Sequence, residues 1–144
     1  MLKTGLLAGL AGGAAEIAWI ALIAPLSGMD AAEVGRGVTG ALFPALRESA
    51  LALPLGLGLH MGLAIVLGLA IATALRSSLP ARLHRSMVEF GAVVAVLVAV
   101  WAMNFFIVLP MSDPAFLTLV PYWAAFVSKA LFGLAAAMVL LRRL

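Results

Sequence analysis

Four polar side chains interrupt the long apolar stretches of the sequence: Glu16, His60, Asn104 and Lys129. Glu16 lies inside TGLLAGLAGGAAEIAWIALIAP, and each of the others lies in a comparable apolar stretch. A charge at the centre of a membrane span costs about 2.5–3.5 kcal/mol on insertion scales, so such residues face the bundle interior and pair. These residue types therefore indicate either a buried ion pair or a site that binds a small molecule or handles protons.

The composition places these residues in a membrane protein. Of 144 residues, 65% are hydrophobic and 10% are charged, and the mean hydropathy is +1.21. A soluble domain is about 45–50% apolar and about 25% charged. The net charge of +3 and the pI near 10.2 come from basic residues spread over loops and ends. We attribute them to a cytoplasmic rim and expect no nucleic-acid binding.

Four apolar stretches are long enough to cross about 30 Å of hydrocarbon as helices. They span residues 4–25, 49–75, 88–110 and 120–141. We predict an all-α fold, a single transmembrane domain over residues 1–144 that forms a four-helix bundle of two tandem hairpins. Pro25 and Pro110 are expected to close their helices, and Pro54 to fall in the first turns of the second.

The charges of the connections predict the orientation. The ends and the second connection carry a basic excess, from Lys3, Arg76, Arg82, His84, Arg85, Arg142 and Arg143. The first connection holds Arg36 and Arg47 against Asp30, Glu33 and Glu48, and the third holds only Asp113. By the positive-inside rule both termini are expected in the cytoplasm.

The first connection is long and leaves two alternatives open. Asp30 and Glu33 have the spacing of a helix N-cap and its third residue, which favours a short interfacial helix within residues 30–46. Gly35, Gly37 and Gly40 weaken a helix there. An ordered loop that covers the bundle explains the sequence equally well.

Measured from the expected outer ends of the spans, the four polar residues lie at similar depth. Glu16 lies nine residues before Pro25, roughly 13 Å along a helix axis. The same count puts His60, Asn104 and Lys129 at roughly 9–15 Å. The sequence therefore predicts one intramembrane polar layer with a contribution from every span.

Two interpretations of this layer remain open. In the first, Glu16 and Lys129 form a structural ion pair, supported by His60 and Asn104, that holds the helices in register. In the second, the residues form a binding or proton site, since carboxylate and imidazole groups in low dielectric can be tuned towards neutral pH. The charges of one Glu and one Lys cancel, which makes the pair a poorer proton carrier than a lone carboxylate.

Cofactor and enzyme chemistry find little support. His60 is the sole intramembrane histidine, because His84 belongs to the basic connection, so a bis-histidine haem is not expected. A metal site of His60 and Glu16 alone lacks ligands. No nucleophile–base constellation, phosphate loop or catalytic carboxylate pair is evident, and we expect no enzyme. Trp19 and Trp101 are possible pocket-lining residues, although aromatic residues in spans more often serve packing.

Glycines recur at four-residue spacing in two of the spans. Gly5, Gly9 and Gly13 form such a ridge in the first span, and Gly58 with Gly62 forms another in the second. Small residues at this spacing let helix backbones approach closely. The partner of each ridge, within the chain or from another chain, stays open.

Three segments carry a family resemblance. GLLAGLAG at the start of the first span, LGLHMGLAIVLG in the second and TLV followed by SKALFGL in the fourth resemble YagU-like small bacterial membrane proteins. The resemblance implies a four-span bacterial inner-membrane protein with a histidine in the second span, and it implies no activity. Lys129 stands where some of those sequences carry a histidine, so a paired-histidine site does not transfer.

We therefore expect a small non-enzymatic protein of the bacterial inner membrane, without cofactors. Our first interpretation of its function is an accessory or scaffold subunit that packs in the bilayer with itself or with a larger membrane complex. The alternative is a small oligomeric proton-coupled transporter that uses Glu16, with His60 and Lys129 adjusting its charge.

Overall fold

The computed structural model describes residues 2–80, 82 and 87–143. It contains five helices in this part of the chain: α1 (Leu2–Ser27), α2 (Ala31–Leu42), α3 (Ala52–Ser78), α4 (Met87–Ser112) and α5 (Tyr122–Arg143). Short 3₁₀ turns at Pro44–Leu46 and Pro114–Thr118 connect them. No strand occurs among the described residues.

The all-α fold predicted from the sequence is confirmed, with four helices apolar and long enough to cross a membrane: α1, α3, α4 and α5. The cytoplasmic orientation of the termini stays a prediction. His84 and Arg85, two members of the predicted basic connection, lie outside the described residues.

Two helix ends correct the sequence-based expectation. Pro25 and Pro110 do not close their helices, because each lies in a last helical turn that continues by two residues, to Ser27 and Ser112. After Ser27, Gly28 adopts a φ of +73°, a left-handed conformation that glycine takes without steric cost and that commonly ends helices. The end of α1 therefore depends on Gly28 more than on Pro25.

The spanning helices are arranged with α1 between α3 and α5, and with α4 packed against α5. Helices α3 and α4 contact each other only weakly. Glycines explain the close approach of α1 to α3. A Cβ added to Gly9 would lie 2.5 Å from the Ala64 carbonyl oxygen, and one added to Gly13 would lie 2.7 Å from the Ala64 Cβ. Backbone-to-backbone packing of this kind requires small residues.

Two apolar clusters hold the bundle together. The cluster towards the chain termini is centred on the fully buried Leu97, Phe132 and Leu140. The cluster towards α2 includes Phe105 and Ala124. The side chain of Glu16, in the middle of α1, lies at a level between these clusters and is surrounded by protein.

Helix α2 settles the open question about the first connection, which is helical from Ala31. The Asp30 carboxylate accepts hydrogen bonds from the backbone N–H groups of Ala32 at 2.9 Å and Glu33 at 3.3 Å, as an N-cap does. Of the glycines that weakened the helical interpretation, Gly35 packs against α3, whereas Gly37 faces Phe116 and Leu119. A Cβ on Gly56 of α3 would overlap the carbonyl oxygen of Gly35.

A hydrogen bond fixes α2 further onto α3. The buried Thr39 hydroxyl donates to the Ala52 carbonyl oxygen at 2.6 Å, across the connection between the two helices. Helix α2 is thereby attached to the first turn of α3 and covers one end of the bundle interior.

Helix α4 contains a π turn at Asn104–Val108. Such turns are rare and occur frequently at functional sites. Asn104, one of the four predicted polar-layer residues, is the first residue of this turn.

Candidate intramembrane binding site

Glu16 is the centre of the polar cluster. Only 3% of this residue is exposed. Its Oε1 atom lies 2.7 Å from Lys129 Nζ and accepts a hydrogen bond from the Ser128 hydroxyl at 3.3 Å. Two adjacent residues of α5 thus reach one carboxylate oxygen of α1, and they give the buried negative charge the partner that a low-dielectric interior requires.

Lys129 is held in place on its other side by an aromatic ring. Its Nζ atom lies 5.4 Å from the centroid of Phe132, one turn further along α5. An ammonium group near the face of an aromatic ring is stabilised by the ring quadrupole. The Lys129 side chain is 19% exposed, so the ammonium lies within the bundle but not sealed in it.

His60 faces the second oxygen of the carboxylate. Its Nε2 atom lies 3.4 Å from Glu16 Oε2, and neither atom has a hydrogen-bond partner among the described residues. A buried polar atom without a partner costs about 1–3 kcal/mol, which gives both atoms an unused capacity to bind a ligand.

Asn104 lies on the same cavity wall as Glu16, His60 and Lys129, half-buried at the start of the π turn. No hydrogen bond joins it to the other three within the described residues. The structure therefore brings Glu16, His60 and Lys129 into direct contact and places Asn104 beside a shared space.

This space, which we call the inner cavity, has a volume of ≈ 600 Å³. Helix α2 contributes Val34, Val38 and Leu42 to its wall, and α4 contributes Val100 besides Asn104. Most of the lining is apolar, with the polar groups concentrated around Glu16. Ligand sites in proteins have volumes of about 300–1,000 Å³ and combine apolar walls with a few polar groups, as here.

A second space, which we call the side cavity, lies between α1, α2 and α3 and has a volume of ≈ 310 Å³. Six residues line both cavities: Glu16, Ile20, Val34, Val38, His60 and Ser128. Glu16 and His60 therefore stand on the boundary between the two spaces, and the apolar face of α2 lies over both.

Trp19 and Trp101, expected as possible pocket-lining residues, are not on the wall of these two cavities. The Trp19 indole N–H donates to the Ala124 carbonyl oxygen at 2.9 Å, and its ring contacts Trp123 edge-on. Trp101 packs edge-on against Phe126 at a centroid distance of 5.1 Å. Both rings join neighbouring helices, because flat apolar rings fill interhelical gaps well.

The two glycine ridges differ in what they contact. Gly5, Gly9 and Gly13 pack against α3, whereas a Cβ on Gly58 or Gly62 would meet nothing within 4 Å in the described part of the chain. The ridge on α3 therefore has no role in packing between the described spans. A packing role for it requires a partner from another molecule.

Several features of the site were missed by sequence reasoning. Ser128 was overlooked although it is adjacent to Lys129, the residue that signals the site. The covering role of α2 was anticipated only for the loop alternative, because its glycines argued against a helix. Glu89, in the first turn of α4, is completely buried.

Chemically, the cluster can hold a polar group by hydrogen bonds and by one cancelled pair of charges. Among the described residues, no three His, Cys, Asp or Glu side chains are grouped closely enough to hold a metal ion. No protein-family model, curated protein or solved structure matches the chain.

Proposed function

We propose that the protein is a non-enzymatic membrane protein that binds a small molecule in the inner cavity, at the Glu16 cluster. One observation carries this proposal: the intramembrane charges lie on the wall of a cavity of ≈ 600 Å³. A polar layer with a purely structural purpose needs no adjoining space, since close packing around an ion pair stabilises it better. We also propose that the protein resides in the bacterial inner membrane and is related to the YagU-like proteins.

A transporter is the form of this proposal in which the bound molecule crosses the membrane. Glu16 is then the group that contacts the cargo. The geometry does not favour proton coupling, because Lys129 already balances the Glu16 charge at 2.7 Å. A lone carboxylate would suit a proton carrier better.

The test compares two phenylalanine substitutions on α4. Val100→Phe places a phenyl ring on the wall of the inner cavity. Val96→Phe adds the same ring at an exposed position away from the cavity. Wild-type protein, extracted with its surrounding lipid into polymer-bounded discs, is expected to carry about one bound molecule per chain by native mass spectrometry. Val96→Phe should retain it and Val100→Phe should lose it. Equal content in Val100→Phe and wild type contradicts the proposal.

A second candidate function is an accessory subunit that packs with a second copy or with a larger complex. The vacant ridge of Gly58 and Gly62 favours it, because glycines at four-residue spacing on a lipid-facing helix surface allow another helix to approach closely. Val66, on the next turn and 64% exposed, would extend that contact.

The absence of cysteine from the sequence makes this candidate simple to test. Gly62→Cys is expected to form a disulfide-linked dimer when membranes are oxidised. Gly91→Cys, at an equally open glycine on α4, serves as the control and should stay monomeric. Equal cross-linking at both positions contradicts self-packing through the α3 ridge. A stoichiometric larger protein that co-purifies with the chain supports the accessory role.

A further inference from the structure

The inner cavity opens through the side of the bundle. Leu63 of α3 and Val108 of α4 both line it, yet they are 56% and 44% exposed. The opening between them follows from the weak contact of α3 with α4. Phe132, completely buried, closes the cavity towards the chain termini, and α2 covers the opposite end. A ligand therefore has its way in from the apolar layer of the membrane.

The polar end of the cavity carries no net charge from its ion pair. Glu16 and Lys129 neutralise each other at 2.7 Å. An additional charged group brought to this place would have no counter-ion, and uncompensated charges are costly at this depth. The cavity thus favours an uncharged polar group.

Hydrogen-bonding capacity points to the same conclusion. Glu16 Oε2 and His60 Nε2 lie 3.4 Å apart, and neither makes a hydrogen bond with a described residue, so Oε2 can accept one and Nε2 can donate one when it carries the imidazole proton. Asn104 adds a donor and an acceptor on the wall. A hydroxyl group both donates and accepts, so one hydroxyl next to the cluster can satisfy Glu16 and His60 together.

We propose that the inner cavity binds an uncharged lipid-like molecule, with a hydroxyl-bearing head at the Glu16–Lys129 pair and a single apolar chain that leaves between α3 and α4. This inference rests on the proposed binding function and names the class of ligand. The volume of ≈ 600 Å³ holds the head and the first part of the chain. The remainder of the chain lies along Leu63 and Val108.

Three photoactivatable probes test the head group. They share one alkyl chain, with a diazirine and an alkyne tag, and carry a hydroxyl, a carboxylate or a quaternary ammonium head. The full chain is placed in phosphatidylcholine nanodiscs, irradiated with each probe and mapped by mass spectrometry. Labelling of α3 and α4 near Leu63 and Val108 counts as cavity binding only if Val100→Phe suppresses it and Val96→Phe does not.

The hydroxyl probe is expected to label the cavity about tenfold or more above either charged probe, a ratio well within the cost of an uncompensated intramembrane charge. If a charged probe labels the cavity as strongly, the inference is overturned while the proposed binding function stands. If Val100→Phe leaves the labelling by all three probes unchanged, both the inference and the proposed binding function are overturned.

Charge substitutions independently test whether the neutralised Glu16–Lys129 pair is the reason that the cavity favours an uncharged head group. Lys129→Gln leaves the Glu16 charge and should shift the preference towards the ammonium head; Glu16→Gln should shift it towards the carboxylate. The double substitution removes both charges, remains foldable if either single variant does not, and should keep the hydroxyl preference. A double variant that prefers a charged head, or folded single variants with an unchanged preference, overturns the inference.

Discussion

Replacement of Lys129 by methionine isolates the Glu16 carboxylate inside the bundle. Methionine keeps most of the side-chain length, so packing changes little while the ammonium at 2.7 Å is lost. The Ser128 hydroxyl at 3.3 Å and the His60 ring remain near the carboxylate. Removal of one partner of a buried pair costs about 3–5 kcal/mol, and the remaining polar neighbours place the expected loss at the lower end, about 3 kcal/mol.

The reverse change, Glu16→Gln, leaves the Lys129 ammonium without a counter-ion. The expected loss is about 2 kcal/mol, because this flexible side chain is 19% exposed and can move its charge towards a polar region. The double variant contains no isolated charge, and we expect it to lose about 1 kcal/mol or less. The coupling energy of the pair is then about 4 kcal/mol.

The free energies of unfolding are obtained by SDS titration of the protein in mixed lipid–detergent micelles, followed by tryptophan fluorescence and circular dichroism. Glu33 and Arg36 of α2 supply a matched control pair, separated by 3.7 Å and much more exposed. The same substitutions there should show a coupling energy of about 0.5 kcal/mol or less. A Glu16–Lys129 coupling no larger than that of the control pair would refute a buried ion pair.

Three further substitutions are measured by the same titration. Gly9→Ala should destabilise by about 1–3 kcal/mol, since its Cβ would meet the α3 backbone at 2.5 Å, whereas Gly91→Ala, with open space around it, should be neutral or stabilising; equal effects would contradict the close α1–α3 packing. Trp19→Phe should cost about 1 kcal/mol more than Trp101→Phe, because only the former indole N–H donates a hydrogen bond within the described residues, and no difference would argue against that bond. Thr39→Val should speed amide hydrogen exchange in α2 selectively, and unchanged exchange would show that its bond does not hold α2 on α3.

Much of the fold followed from the sequence because hydropathy and length alone determine which helices can cross a membrane. The helix ends were less predictable. Prolines suggested boundaries at Pro25 and Pro110, but both helices continue for two residues beyond the proline, because membrane-spanning helices tolerate proline where neighbouring groups satisfy the freed backbone. Helix α2 was equally uncertain, because the glycines of α2 lower its intrinsic helix propensity while they improve its tertiary packing.

The polar cluster was predictable to a similar extent. The cost of a charge in a span predicted that Glu16 and Lys129 would find each other. Helix length gave their common depth with His60. The depth of a residue does not give its rotation about the helix axis, so Ser128 was missed. The cavity itself depends on how far α4 stands from α3, and neither hydropathy nor glycine spacing contains that distance.

The π turn of α4 has a consequence for the phase of this helix. In an unbroken α-helix Leu97 and Phe105 would point about 80° apart, since eight residues make two turns and part of a third. Both are buried, one in each apolar cluster. A π turn accommodates one additional residue, and that residue reduces the angular difference to about 20°. The turn thus behaves as a one-residue insertion that lets a single helix contribute to both apolar clusters from nearly the same face.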